Sequence, residues 1–266
     1  GKKIRITGSI FLKKKFDRSL FFPDIRCTHR TLEQQNIMRT KALILTAAFG
    51  AVSIATSMAQ VYSVNGVGYY TLDLPGGFSM IANQLNNGDN NLNTILPTAP
   101  IGTTVAKWDS AAQTYADADT YFGPDFGGWV DDGFNPSTTS LNPGEGAFIN
   151  MATAEALTFV GEIPQGALSV TIAPLFNIVA QPTPQAADVN ATGLPATIGD
   201  TIQFWANDGL TSGFEDALAY FGPDFGGWVD KDFNPVDPTP AVGESFFYNS
   251  AAESVVSWDR DFSIND

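Results

Sequence analysis

Tyr121, Asp125, Trp129 and Asp131 lie in an eleven-residue stretch, YFGPDFGGWVD, that recurs unchanged at Tyr220–Asp230. Residues of these types at this spacing suit three roles. Tyr and Trp rings can stack on the apolar face of a pyranose while nearby carboxylates accept hydrogen bonds from its hydroxyls; a few polar groups on an aromatic surface is the usual make-up of a small-ligand site. On that reading Tyr121, Asp125, Trp129 and Asp131 form one sugar platform, and Tyr220, Asp224, Trp228 and Asp230 form a second. Two such sites multiply a weak affinity when geometry lets both engage.

The second role is calcium binding, which takes about six to eight oxygen ligands, often from Asp on loops. Asp117, Asp119, Asp125, Asp131 and Asp132 fall within 16 residues, and Asp216, Asp224, Asp230 and Asp232 keep most of them in the second copy. The spacing is no EF-hand, and turns commonly carry Asp for their own sake. The third role is structural: glycines serve wherever φ is positive, and the aromatics fold back over a core as a lid. Glu145 and Glu244, each after a glycine and ahead of an apolar run, are either ligand groups or acceptors for backbone N–H in a turn.

Other chemistries are excluded or unsupported. The single Cys and the single His are Cys27 and His29. Beyond them there is no Ser-His-Asp triad, no Cys nucleophile and no ordinary zinc site. There is no Gly-rich phosphate loop with its Lys and no dinucleotide fingerprint. A carboxylate pair of the glycosidase type remains open. Acids are so numerous here that such a pair arises by chance, and the sequence does not support an enzyme.

Residues 38–59 read as a secretory signal peptide. Met38-Arg39-Thr40-Lys41 is a basic start, Ala42–Ile54 an apolar run, and Ser57-Met58-Ala59 a small-residue exit. The run is 13 residues, short of the ~20 a spanning helix needs. Residues 1–37 then read as an over-extended N-terminus outside the mature protein. Downstream of Ala59, three cations (Lys107, Lys231 and Arg260) face 25 carboxylates, a formal net charge of −22. Such a chain repels nucleic acid and anionic membrane surfaces. It touches a membrane only through the signal peptide, and calcium is its one candidate cofactor. A secreted, periplasmic or cell-surface bacterial location is expected.

These residues need elements to hold them, and the sequence writes one set of elements twice. Phe134-Asn135-Pro136 returns as Phe233-Asn234-Pro235, Gly144-Glu145 as Gly243-Glu244, and Trp108 as Trp205. Gly68–Ala82 aligns with Gly166–Ala180. The units expected are 60–159 and 160–266, with no linker between them. YYTLDL alternates, with Tyr70, Leu72 and Leu74 on one side. TTVAKW, GAFIN, ALTFV, LSVTI, SFFYN and SVVSW are short β-branched and aromatic runs bounded by turn residues. One short helix is expected at Asn91–Leu96, between an Asn cap and Pro97. The fold class is all-β: two similar tandem β-sandwich or barrel-like lobes with short helices.

QVYSVNGVGYYTLDLPGGFSMIANQLNNGDNNLNTILP, NPGEGAFIN followed by LTFVGEIPQG, and the terminal SWDRDFSIND together resemble a group of uncharacterised secreted duplicated-domain proteins of Verrucomicrobia-type bacteria. The likeness spans the chain downstream of the signal. It implies export, a repeated lobe and β structure, and carries over no catalytic residue. GPDFGGWVD is more glycine-rich than that group's pattern, so its role rests on its own residues. The expectation is a secreted, non-enzymatic structural or interaction protein of the cell surface or matrix, with polysaccharide or a cell-surface protein as partner. Carbohydrate binding through the repeated loops is the first alternative and a carboxylate glycosidase the second.

Overall fold

The alternation in YYTLDL is realised in strand Val67–Leu74, where Tyr70, Leu72 and Leu74 pack against the core and Tyr69 is exposed. The computed structural model describes residues 66–265. The expected over-extended N-terminus (1–37) and signal peptide (38–59) lie outside the described residues. No helix among these residues is long and apolar enough to cross a membrane. The described chain is all-β, and every strand pairing is antiparallel.

One sheet runs in the order Gly77–Ala82, Gly146–Met151, Thr104–Asp109, Asp119–Tyr121 and Trp129–Val130, with Thr114–Tyr115 added beside Thr104–Asp109. A second runs Leu175–Val179, Phe246–Ser250, Thr201–Gln203, Leu218–Tyr220, Trp228–Val229 and Pro235–Val236. Three two-stranded ribbons complete the set: Val67–Leu74 with Glu155–Glu162, Gly166–Ile172 with Val256–Phe262, and Trp205–Asn207 with Ser212–Phe214. The pairing order of the first half thus returns in the second. Strand Glu155–Glu162 runs across the expected boundary at Phe159/Val160. The pairing breaks after it, in the turn before strand Gly166–Ile172.

Each sheet covers its own core. Ile81, Leu92, Val105, Trp129, Ile149 and Phe159 are buried in the first; Ile172, Ile202, Trp228, Phe246 and Trp258 in the second. Full burial of such side chains stabilises by about 1.5–3 kcal/mol each. The expected helix is Leu92–Ile95. The Asn91 side chain caps it by accepting from Asn93 N–H, and Leu92 and Ile95, one turn apart, face the core.

A third cluster joins the halves: Met80, Phe148 and Ile178, with Trp108, Trp205 and Phe247 against them. The hydrogen bonds there come in reciprocal pairs. Ala82 N–H donates to Gly243 O at 2.8 Å, and Ala180 N–H to Gly144 O at 3.0 Å. Trp205 Nε1 donates to Phe78 O and Trp108 Nε1 to Phe176 O, both at 2.8 Å. Each half therefore satisfies backbone groups at the sheet edge of the other, which would otherwise be exposed for pairing. Near the ends of the described chain, Gly66 O accepts from Ile163 N–H at 2.7 Å, and Ile264 N–H donates to the Gln165 side chain at 3.2 Å.

Candidate functional site

The repeated stretch is a hairpin with a 3-10 turn at its tip. Tyr121 lies opposite Trp129 in the strand register, as Tyr220 lies opposite Trp228. Between them the turn Pro124–Phe126 is flanked by Gly123 at φ 90° and Gly127 at φ 91°, values that favour glycine. The second copy repeats this with Gly222 at 88° and Gly226 at 93°. Phe122 N–H donates to Gly128 O at 2.9 Å and closes the hairpin. The single turn between the strands interrupts the two-residue alternation. It sends Tyr121 and Trp129 into the core and Phe126 to solvent.

The two tryptophans are not sugar platforms. Trp129 and Trp228 are both 0% exposed, so neither ring face is open to a ligand. Trp129 Nε1 donates to Leu96 O at 2.7 Å, and the buried Tyr121 hydroxyl donates to Pro97 O at 3.1 Å. Tyr220 is half-buried and packs on Trp228, with ring centroids 5.3 Å apart. These rings are the lid of the core in both copies. Asp125 and Asp224 stand exposed on the turn.

Among the described residues no three His, Cys, Asp or Glu come together to hold a metal. Asp131 accepts from Asn135 N–H at 2.8 Å and from its side chain, and Asp230 does the same with Asn234. These hydrogen bonds hold both carboxyls below the usual carboxylate range, led by the Asn135 backbone for Asp131 and the Asn234 side chain for Asp230. Asp119 is buried and accepts from Ser137 Oγ at 2.8 Å. Asp216 meets Lys231 at 3.4 Å on the surface, and Asp232 N–H donates to Asp230. Asp117 and Asp132 are exposed. Two of these carboxylates, Asp131 and Asp230, therefore build turns, in keeping with the ease with which Asp bonds nearby backbone.

Glu145 and Glu244 also serve their turns, accepting from Asn142 N–H and Ala241 N–H, each at 2.7 Å. Glu145 is paired with Lys107 Nζ at 2.9 Å. At the position of Lys107 the second half has Phe204. Burial pushes the Glu244 carboxyl above the usual range, with Glu215 adding to the effect.

The residues that stand out in the structure are phenylalanines that sequence reasoning passed over. Phe126 is 75% exposed and Phe134 74%; their counterparts Phe225 and Phe233 are 73% and 72%. Phe122 lies 5.6 Å from Phe134, ring to ring, and Phe221 5.7 Å from Phe233. Phe134 and Phe233 have φ of 60° and 61°, the left-handed region that a bulky side chain enters at a cost of about 1–2 kcal/mol. The Asp131–Asn135 and Asp230–Asn234 bonds hold the loops in this shape. The signal in the sequence is an apolar residue inside a turn, DGFNP and KDFNP, repeated.

No family description, no curated protein and no solved structure matches this chain.

Proposed function

We propose that the protein is a non-enzymatic structural or interaction protein of the bacterial cell surface or extracellular matrix, and that it holds its partner through the two phenylalanine loops. The observation that carries this reading is the backbone of Phe134 and Phe233. Both loops keep a large apolar ring in solvent while holding it in a left-handed conformation. Strain of this kind persists where the surroundings enforce it, often at ligand contacts. Exposed apolar patches rimmed by polar groups mark interaction sites, and here the rim is acidic: Asp125, Asp131 and Asp132 beside one loop, Asp224, Asp230 and Asp232 beside the other. The signal-like segment at 38–59 supports a location outside the cytoplasm.

Carbohydrate binding remains a second reading, now through Phe126 and Phe225, each next to an exposed carboxylate. The test compares wild type with a Phe126→Ser/Phe134→Asn/Phe225→Ser/Phe233→Asn variant, for retention on the envelope and matrix fraction of the source bacterium and on a glycan array. Retention that falls at least about tenfold, with an unchanged fold, supports the loops as the contact; each 1.4 kcal/mol of lost contact corresponds to about tenfold. Equal retention of the two proteins sinks the proposal. Glycan-array signals lost in the variant would select the second reading.

A further inference from the structure

Phe148, 7% exposed on strand Gly146–Met151, is surrounded by four rings that stand nearly upright to it. Trp205 lies 5.0 Å away at 89°, Tyr115 5.9 Å at 70°, Phe214 6.1 Å at 88° and Phe78 6.2 Å at 83°. Phe148 is thus a floor and the others are walls. Three walls reach solvent: Phe78, Tyr115 and Phe214 are 49%, 42% and 45% exposed. With Ala106 these five rings line a cleft of about 350 Å³. The walls come from both halves of the chain and are braced. Trp205 Nε1 is tied to Phe78 O, Phe214 pairs with Trp205 across a two-stranded ribbon, and Tyr115 pairs with Trp108.

The chemistry of such a box is narrow. None of its six lining residues is charged, the Trp205 N–H is already used, and the Tyr115 hydroxyl is the one polar side-chain group left in the lining. A ligand group that needs hydrogen bonds would lose them on entry, at a cost of kilocalories. Ring faces carry partial negative charge, and they attract a cation most when it is weakly hydrated and apolar on its outside. The surrounding field has the matching sign, since 25 carboxylates face three cations downstream of Ala59. Of the described lysines, Lys107 is bonded to Glu145 and Ser140 O, and Lys231 lies against Asp216.

We propose that this aromatic box binds a small soluble quaternary ammonium compound, with its trimethylammonium group set over Phe148 between Phe78, Tyr115, Trp205 and Phe214. The site is separate from the phenylalanine loops and stands or falls without them.

Calorimetric titration of the full chain with choline, tetramethylammonium and 3,3-dimethyl-1-butanol tests it. The last compound has the shape of choline without the charge. Choline and tetramethylammonium are expected to bind, and the neutral compound about tenfold more weakly or worse, the difference that cation–π contact supplies. Phe214→Leu and Tyr115→Leu keep apolar volume and remove a ring face. Each is expected to lose choline affinity about tenfold while its thermal melt stays close to wild type. Should one of them unfold, Phe78→Leu, on a wall 49% exposed, gives the same readout. Equal binding of choline and its neutral isostere would overturn the proposal, as would the absence of choline binding. So would co-sedimentation with phosphatidylcholine vesicles that free choline fails to compete away.

Discussion

The indole of Trp205 donates its N–H to the carbonyl of Phe78, 127 residues earlier in the chain, at 2.8 Å. Trp108 makes the matching bond to Phe176. With the paired contacts of Ala82 to Gly243 and Ala180 to Gly144, each half finishes the sheet edge of the other. The halves are therefore expected to unfold together. Urea transitions followed by Trp fluorescence and by far-UV circular dichroism should coincide, as two-state behaviour requires. Two separated midpoints would show that these bonds do not couple the halves.

Trp129 and Trp228 occupy the same place in the repeated hairpin, yet their N–H groups fare differently. Trp129 Nε1 reaches Leu96 O, whereas Trp228 Nε1 is buried with no acceptor among the described residues. Trp129→Phe breaks a buried bond and strands the Leu96 carbonyl, a penalty of about 1–3 kcal/mol. Trp228→Phe removes a donor that has nothing to lose. Both variants give up the same ring volume, so Trp129→Phe should be the less stable by roughly that difference in urea titration. Equal destabilisation would argue against it.

Glu244 should make stability depend on pH in the direction opposite to most carboxylates. Its folded pKa is raised above 4.5 by burial. Its contribution is accordingly complete below 4.5 and is lost as pH rises through the folded value. Glu244→Gln keeps an acceptor for Ala241 N–H and cannot ionise. It should melt above wild type at pH 7 and level with it at pH 4. A variant no more stable than wild type at pH 7 would contradict this.

Phe126→Ser and Phe225→Ser should leave the melting temperature within the range of ordinary surface changes, about 0.5 kcal/mol. Truncating a buried aromatic costs about 3–5 kcal/mol. A loss of that size in thermal melts would mean that these rings belong to the lid after all.

Much of this architecture was legible in the sequence. The β class followed from short alternating runs between turn residues, and Asn91 and Pro97 bracketed the helix at Leu92–Ile95. The repeated hairpin was visible as a motif, but the direction of its side chains was not. Tyr121, Phe126 and Trp129 look alike in composition, and the turn at Pro124–Phe126 breaks the alternation that would assign their faces. Long-range partners were equally hidden. Asn93, on the short helix, accepts from Trp129 N–H at 2.8 Å and donates to Trp129 O at 3.1 Å. A Cβ on Gly128 would lie 2.4 Å from the Asn93 oxygen, whereas one on Gly227 meets nothing closer than 3.8 Å. One sequence in two places thus has two environments. The aromatic box escaped notice because its rings come from five separate strands and share no spacing.

Gly66 and Ile264 both bond to the short turn that joins the two halves, so the entry and exit of this unit are neighbours. Adjacent ends are what lets a domain be spliced into a host chain or permuted. A surface loop of another protein could therefore carry this unit as a cassette, its two attachment points close together.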